Sequence, residues 1–329
     1  MQTNLDLSRW REAPKGVDYR RWTIVSTGLR QMFANRLFRW LLFLAWTAGV
    51  LIAAFGFAFT QSVASGGWLE SAAANFGPRV EAVVAALGAL VTLYPDICIH
   101  GLFTLVFWLH SYLGLGLSLV ALTVMVPNLV ARDRASNALT IYLARPLTSA
   151  DYLLGKLGII VGVLLLLWTG PLVLGWLLSM LLAPDREFIA YSFSPLLRAL
   201  LFNGIALVVL ATIALGVSAL NRSARNTTIL WIALWLIVGT VAKAPDSPAW
   251  LKRASFSHDL SEVRQTVFQL DTALTDAGTK LPFLSERFAD YLKQAGQKTQ
   301  AADFGGALAG LGILTVLSSA VFLRKLRPE

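Results

Sequence analysis

Asp96, Cys98 and His100 lie within five residues of one another and could hold a soft metal or pair a thiol with a base. On a helix the i, i+2 and i+4 positions diverge and only Asp96 and His100 share a face, so the spacing argues instead for a helix-end cap with a buried thiol. His110 and Asn203 fall inside apolar runs, where a proton relay or a ligand would place them. Ser111 and Trp108 beside His110 favour a neutral, hydrogen-bonded packing role. Gly155-Lys156 ends like a phosphate loop, yet Ala150 stands where its first glycine belongs and Leu157 where Ser or Thr would hold magnesium. No catalytic residue, cofactor site or metal site is expected in this chain, and ATP hydrolysis would have to come from another.

The densest polar stretch is "LVARDRASNALTIYLARPLTSADYLLGKL", residues 129–157, which sets six charged residues and a proline between two long apolar runs. Each charge at the centre of a bilayer would cost about 3 kcal/mol or more, so the first run ends at Arg132, Asp133 and Arg134. Residues 136–144 are helix-compatible, with Leu139, Tyr142 and Leu143 on one face. Pro146 forces Arg145 out of helical geometry and closes that element. Thr148 with Asp151 three positions later predicts a capping box, Asp replacing the usual Glu, so a new helix starts around Ser149 and carries Tyr152, Gly155 and Lys156.

The elements that must position these groups are membrane helices. The chain has 329 residues, 56% hydrophobic and only 14% charged, which excludes an ordinary soluble domain. A span needs roughly 20 apolar residues, and six runs qualify: 40–60, 100–126, 157–183, 199–220, 226–242 and 304–323. None contains Asp, Glu, Lys or Arg, which argues against an ion-driven transporter. The first run follows a lead with eight basic residues, too long for a secretory signal, and is expected to be retained. The single cysteine cannot form an internal disulfide.

Charge predicts the topology. Alternate connections carry 17 basic residues against 6 acids on one side and 11 against 13 on the other, so both termini and the 127–156 segment are expected in the cytoplasm. The basic excess is a topological signal, and no nucleic-acid partner is expected. Residues 19–38 place Trp22, Val25, Leu29, Met32 and Phe33 at helical spacing among arginines, which predicts an amphipathic helix lying on anionic lipid. The outward segment 243–303 predicts a helical hairpin: one helix through Leu260, Val263, Val267, Leu270 and Leu274, a second through Leu284, Phe288, Tyr291, Leu292 and Ala295. A structural cap on the spans is the expected role. Gly158-x-x-x-Gly162 and Gly306-x-x-x-Gly310 predict close helix approach without naming the partner helix. The fold class is therefore all-α and polytopic: an N-terminal region 1–39 with an interfacial helix, then a six-span domain 40–329 that includes a cytoplasmic loop 131–148 and the 243–303 insertion.

Arg-Asp, a short helix and then "LARPLTSADYLLGKL" resembles the permease subunits of type-2 ATP-binding-cassette exporters. The resemblance is specific over 132–157 and general elsewhere. Two positions depart from it: Asn137-Ala138-Leu139 stands where Gly-Thr-Leu is common, and Ala150 where a basic residue is common. The resemblance implies that the 131–148 loop is a coupling helix docking on a separate cytosolic ATPase, with Arg132, Asp133, Arg134, Asn137, Leu139, Tyr142, Arg145 and Pro146 at that interface. Gly155 and Lys156 would orient the third span. It further implies ATP and magnesium in the partner ATPase, a second permease chain, identical or related, and residence in a bacterial-type inner membrane. A non-transporting scaffold that passes conformational change across the membrane stays open as the alternative, as do a secondary transporter and a membrane enzyme.

Overall fold

The structure is a computed structural model that describes residues 16–63, 68–136, 148–181, 183, 186–244, 246–273, 275 and 303–326. Among these residues there are helices and no strands. α1 (Val17–Ala34) passes through the extended Asn35 into α2 (Arg36–Val63). α3 (Trp68–Asn75) and α4 (Pro78–Leu93) follow, separated by a turn in which Gly77 takes φ +98, a conformation open mainly to glycine. α5 (Pro95–Ala135) contains a π-helical turn at Pro127–Ala131. α6 (149–181) has another at Leu165–Thr169. α7 (Arg186–Leu220), α8 (Ala224–Ala242), α9 (Ala249–Ala254), α10 (Phe256–Phe268) and α11 (Phe304–Leu326) complete the order.

Among the described residues six helices, α2, α5, α6, α7, α8 and α11, are long and apolar enough to cross a membrane, and the chain is a multi-pass membrane protein. They correspond to the six apolar runs, but several are longer. α5 has 41 residues, about 60 Å at 1.5 Å per residue and twice the thickness of a hydrocarbon core. Charge ends a hydropathy run without ending a helix, so α5 continues through Arg132–Ala135 and α7 begins at Arg186 and contains Arg198. α5 and α7 are buried over 61% of their most apolar windows and α8 and α11 over 17%, which makes the first two the centre and the last two the rim.

Small residues decide which helices touch. Gly49 and Gly56 of α2 abut Pro171 and Ser179 of α6, and Gly114 of α5 receives the Trp168 indole. The partner of Gly158 and Gly162 is α1: Val25 faces Gly158 and Leu29 faces Gly162, with Ile24 on Gly155 and Gly28 under Ile159. These pairs advance together along both chains, so α1 runs in the same direction as α6 and lies along its first half. The apolar stripe of α1 is thereby divided. Val25, Leu29 and the buried Met32 turn into the protein, while Trp22 and Phe33 stay exposed.

The described part of the 243–303 segment packs on the spans. α10 ends at Phe268, where Gln269 adopts a left-handed conformation, and residues 270–273 turn helical again, so the expected helix is broken at Gln269. Its buried face, Phe256, Leu260, Val263 and Phe268, docks on α7 and α11. Phe256 stacks on Trp231 of α8, and Asp259 reaches Gly310 of α11, well inside both spans. The expected second helix, Leu284 to Ala295, lies outside the described residues.

Candidate functional site

The polar island is built on the π-helical turn at the end of α5. Pro127 has no N–H to donate, and the widened turn after it presents backbone groups to α7. A single hydroxyl from α7 serves them. Ser218 Oγ donates to the Val126 carbonyl at 2.7 Å and accepts from the Val130 and Ala131 N–H groups at 2.9 and 3.2 Å. One turn on, Arg134 donates to the Ala219 carbonyl. The end of α5 is thus fastened to the end of α7.

The other side of the island is fastened to the same place. Asp133 Oδ2 accepts from the Tyr152 hydroxyl at 2.7 Å and pairs with Lys156 Nζ at 2.8 Å. Tyr152 and Lys156 are four apart on α6, so both reach one carboxylate from one face, and Lys156 lies 5.4 Å from the centre of the Tyr152 ring. The lysine and aspartate side chains are only 12% and 18% exposed, which makes this pair stronger than a solvent-screened one.

The capping box is present as expected. Asp151 N–H donates to Thr148 Oγ1 at 3.2 Å, and Thr148 N–H donates to Asp151 Oδ2 at 3.1 Å. Its carboxylate also accepts from Arg21 Nε at 2.8 Å, which fastens α1 to the start of α6.

Of the ten residues singled out by sequence, Asp133, Arg134 and Lys156 enter this network and Gly155 receives Ile24 of α1. Arg132 projects outward. Asn137, Leu139, Tyr142, Arg145 and Pro146 lie outside the described residues. Sequence reasoning missed Arg21 and Ser218 as members. Their partners stand 130 and 92 positions away, and no local spacing signals such a pair.

A second polar cluster joins α9, α10 and α11. Arg253 pairs with Asp259 at 3.0 Å, Glu262 at 2.8 Å and Asp303 at 2.6 Å. Asp259 is fully buried, and burial pushes its carboxyl up to about 6 although Arg253 pulls the other way. His258, Asp259 and Glu262 offer ligand atoms within 4.8 Å of one another, a spacing that a metal ion accepts. Arg253 already supplies both carboxylates with a positive charge. Farther along α10, the buried Arg264 guanidinium stacks 3.6 Å over Tyr112 and 5.1 Å from Phe202.

The remaining candidates separate. Asp96 and His100 line a cavity of about 410 Å³ with Arg198, and Cys98 does not take part. His110 Nε2 sits 3.1 Å from the Trp168 carbonyl, in the π-helical turn of α6, which is a packing role. Asn203 is buried, and its Nδ2 has no partner among the described residues.

No family model matches the chain, and no curated protein matches it.

Proposed function

We propose that this chain is the membrane subunit of an ATP-binding-cassette exporter, coupling ATP hydrolysis in a separate cytosolic subunit to substrate movement. The observation that carries this reading is the double fastening of the polar island. The residues that open it, Asp133 and Arg134, and those that close it, Tyr152 and Lys156, form one network with the end of α7.

A force applied to the 137–147 segment would therefore reach α5, α6 and α7 together, because Asp133 binds α6 and Ser218 binds the π-helical turn. Arg21 and Asp151 carry the same displacement to α1. A two-state motion of this kind needs elements that move as units, and the short, partly buried contacts supply that rigidity. The chain contributes no phosphate loop, so ATP and magnesium belong to the partner, and six spans make half of a pathway that a second permease chain completes. The bacterial-type inner membrane and cytoplasmic termini follow from the same reading and from the charge asymmetry. A scaffold that transmits motion without cargo would use the same network.

A second reading, ion coupling, has one observation of its own. The count of charges inside the apolar runs omitted α10, which brings buried Asp259 and Arg264 beside α5, α7 and α11.

The test is a mild-detergent pull-down of the full chain followed by mass spectrometry. A cytosolic ATPase bound to wild type and lost from Leu139→Asp supports the exporter reading. Asp133→Lys and Arg145→Glu are expected to uncouple ATP hydrolysis from transport while leaving membrane insertion intact. Recovery without any ATPase, under conditions that keep other membrane complexes whole, would overturn it in favour of the ion-coupled reading, which Asp259→Asn then tests.

A further inference from the structure

Between α1, the Arg132 end of α5 and the first turns of α6 lies an open cavity of about 680 Å³. Its α1 wall carries Thr23, Thr27 and Gln31, a polar residue every fourth position and hence one stripe of hydrogen-bonding groups, with Asn35 just past the helix end. Across the cavity Asn128 and Arg132 repeat that spacing on α5. The floor is hydrocarbon, from the half-buried Ile24 and Val124 over the buried Met125, Leu129 and Ile159. This is an amphipathic chamber, with polar walls above an apolar base.

Its charge is not balanced from within. Lys156 is matched by Asp133, while the Arg132 guanidinium has no hydrogen-bond or ion-pair partner among the described residues. The side chains of Thr27 and Gln31 likewise have none there. A guanidinium with five donors in a fixed fork suits a phosphodiester, which it can hold through two parallel bonds. In the same stretch of chain, Tyr19, Trp22 and Phe33 of α1 and Trp40 of α2 are exposed, as are Arg36 and Arg39. Exposed aromatic rings and arginines of this kind belong at the headgroup level of a bilayer, where anionic lipid is concentrated.

We propose that the cavity binds one anionic glycerophospholipid of the phosphatidylglycerol class. Its phosphodiester lies on Arg132, its headgroup oxygens accept from Thr27 and Gln31, and an acyl chain covers Ile24 and Val124. The bound lipid ties α1 to the network of Asp133, Tyr152 and Lys156. The proposal stands whether or not the chain partners an ATPase.

The test is native mass spectrometry of the full-length protein released from nanodiscs containing equal amounts of phosphatidylglycerol and phosphatidylcholine. Wild type is expected to retain one phosphatidylglycerol per chain in preference to phosphatidylcholine, and excess inorganic phosphate is expected not to displace it. Arg132→Ala should lower that retention about tenfold, the value of a lost charge-assisted hydrogen bond. Gln31→Trp, which fills the chamber from an exposed position, should do the same while thermal melting shows both variants folded. Equal retention of the two lipids by wild type would overturn the proposal, as would wild-type retention in both folded variants. Displacement by inorganic phosphate would also overturn it, marking a small-anion site.

Discussion

Ser218 shows how much can rest on one hydroxyl. It gives one hydrogen bond and receives two, all at the π-helical turn of α5. Ser218→Ala removes all three of these buried hydrogen bonds, a cost of about 1–3 kcal/mol, so the thermal midpoint in detergent should fall measurably. Ser218→Cys should restore only part of the loss, sulfur being a weak acceptor. Asp259 makes a prediction with a definite sign. Its carboxyl is raised to about 6 from an ordinary value of 3.8, so the folded chain binds the proton more tightly than the unfolded chain between those values. Its contribution is therefore most favourable at low pH and is lost as pH rises through 6. Hydrogen exchange should show α10 better protected at pH 5 than at pH 7.5, and Asp259→Asn should flatten that difference. At this scale the sequence was partly legible. Asp133 and Lys156 stood out because charge between apolar runs is conspicuous, and the Thr148 to Asp151 spacing announced its own cap. Ser218 did not, since a serine in an apolar helix is ordinary and its partners come from another span.

Helices in this protein meet where glycine removes a side chain, and that rule predicts what substitution does to whole elements. A Cβ on Gly158 would stand 2.7 Å from a methyl of Val25, which can shift a little. Gly158→Ala should therefore be tolerated, whereas Gly158→Leu should lift α1 from α6 and pull Arg21 away from Asp151. Limited proteolysis between α1 and α2 reads the difference: rapid cleavage near Asn35 is expected for the leucine variant, and wild-type resistance would show that the Arg21 pair alone holds the helix. A Cβ on Gly310 meets the buried Asp259 carboxylate at 2.2 Å, with no flexible end to give way. Gly310→Leu should undock α10 even though Gly310 lies in a different element. The small-residue pairs were visible as invitations to close packing, but neither partner could be read from them. Hydropathy marked α1 as an element apart from the spans, and α10 as a cap beyond them. Both are instead partners of a span, because the faces they bury are as specific to glycine notches as to lipid.

At the scale of the molecule, six apolar helices were legible from run length alone, because about 20 apolar residues in sequence have few other uses in a chain this size. Their sidedness rests on charge, and the asymmetry of 17 basic residues to 6 acids on one set of connections against 11 to 13 on the other gives a direct test. Cys98 is the only native cysteine, so a Cys98→Ser background is silent to thiol reagents. Within it, Phe76→Cys in the turn after α3 and Ser136→Cys after α5 place single thiols at exposed positions on connections that the charge rule assigns to opposite sides. An impermeant maleimide added to intact cells should label position 76 and not position 136, and lysis should expose the latter. That result would put the Asp133 to Lys156 network on the side where a cytosolic ATPase could reach it. The reverse pattern would remove any such partner from reach and would leave the same rigid network facing outward, where it could serve only a scaffold or an ion-coupled carrier.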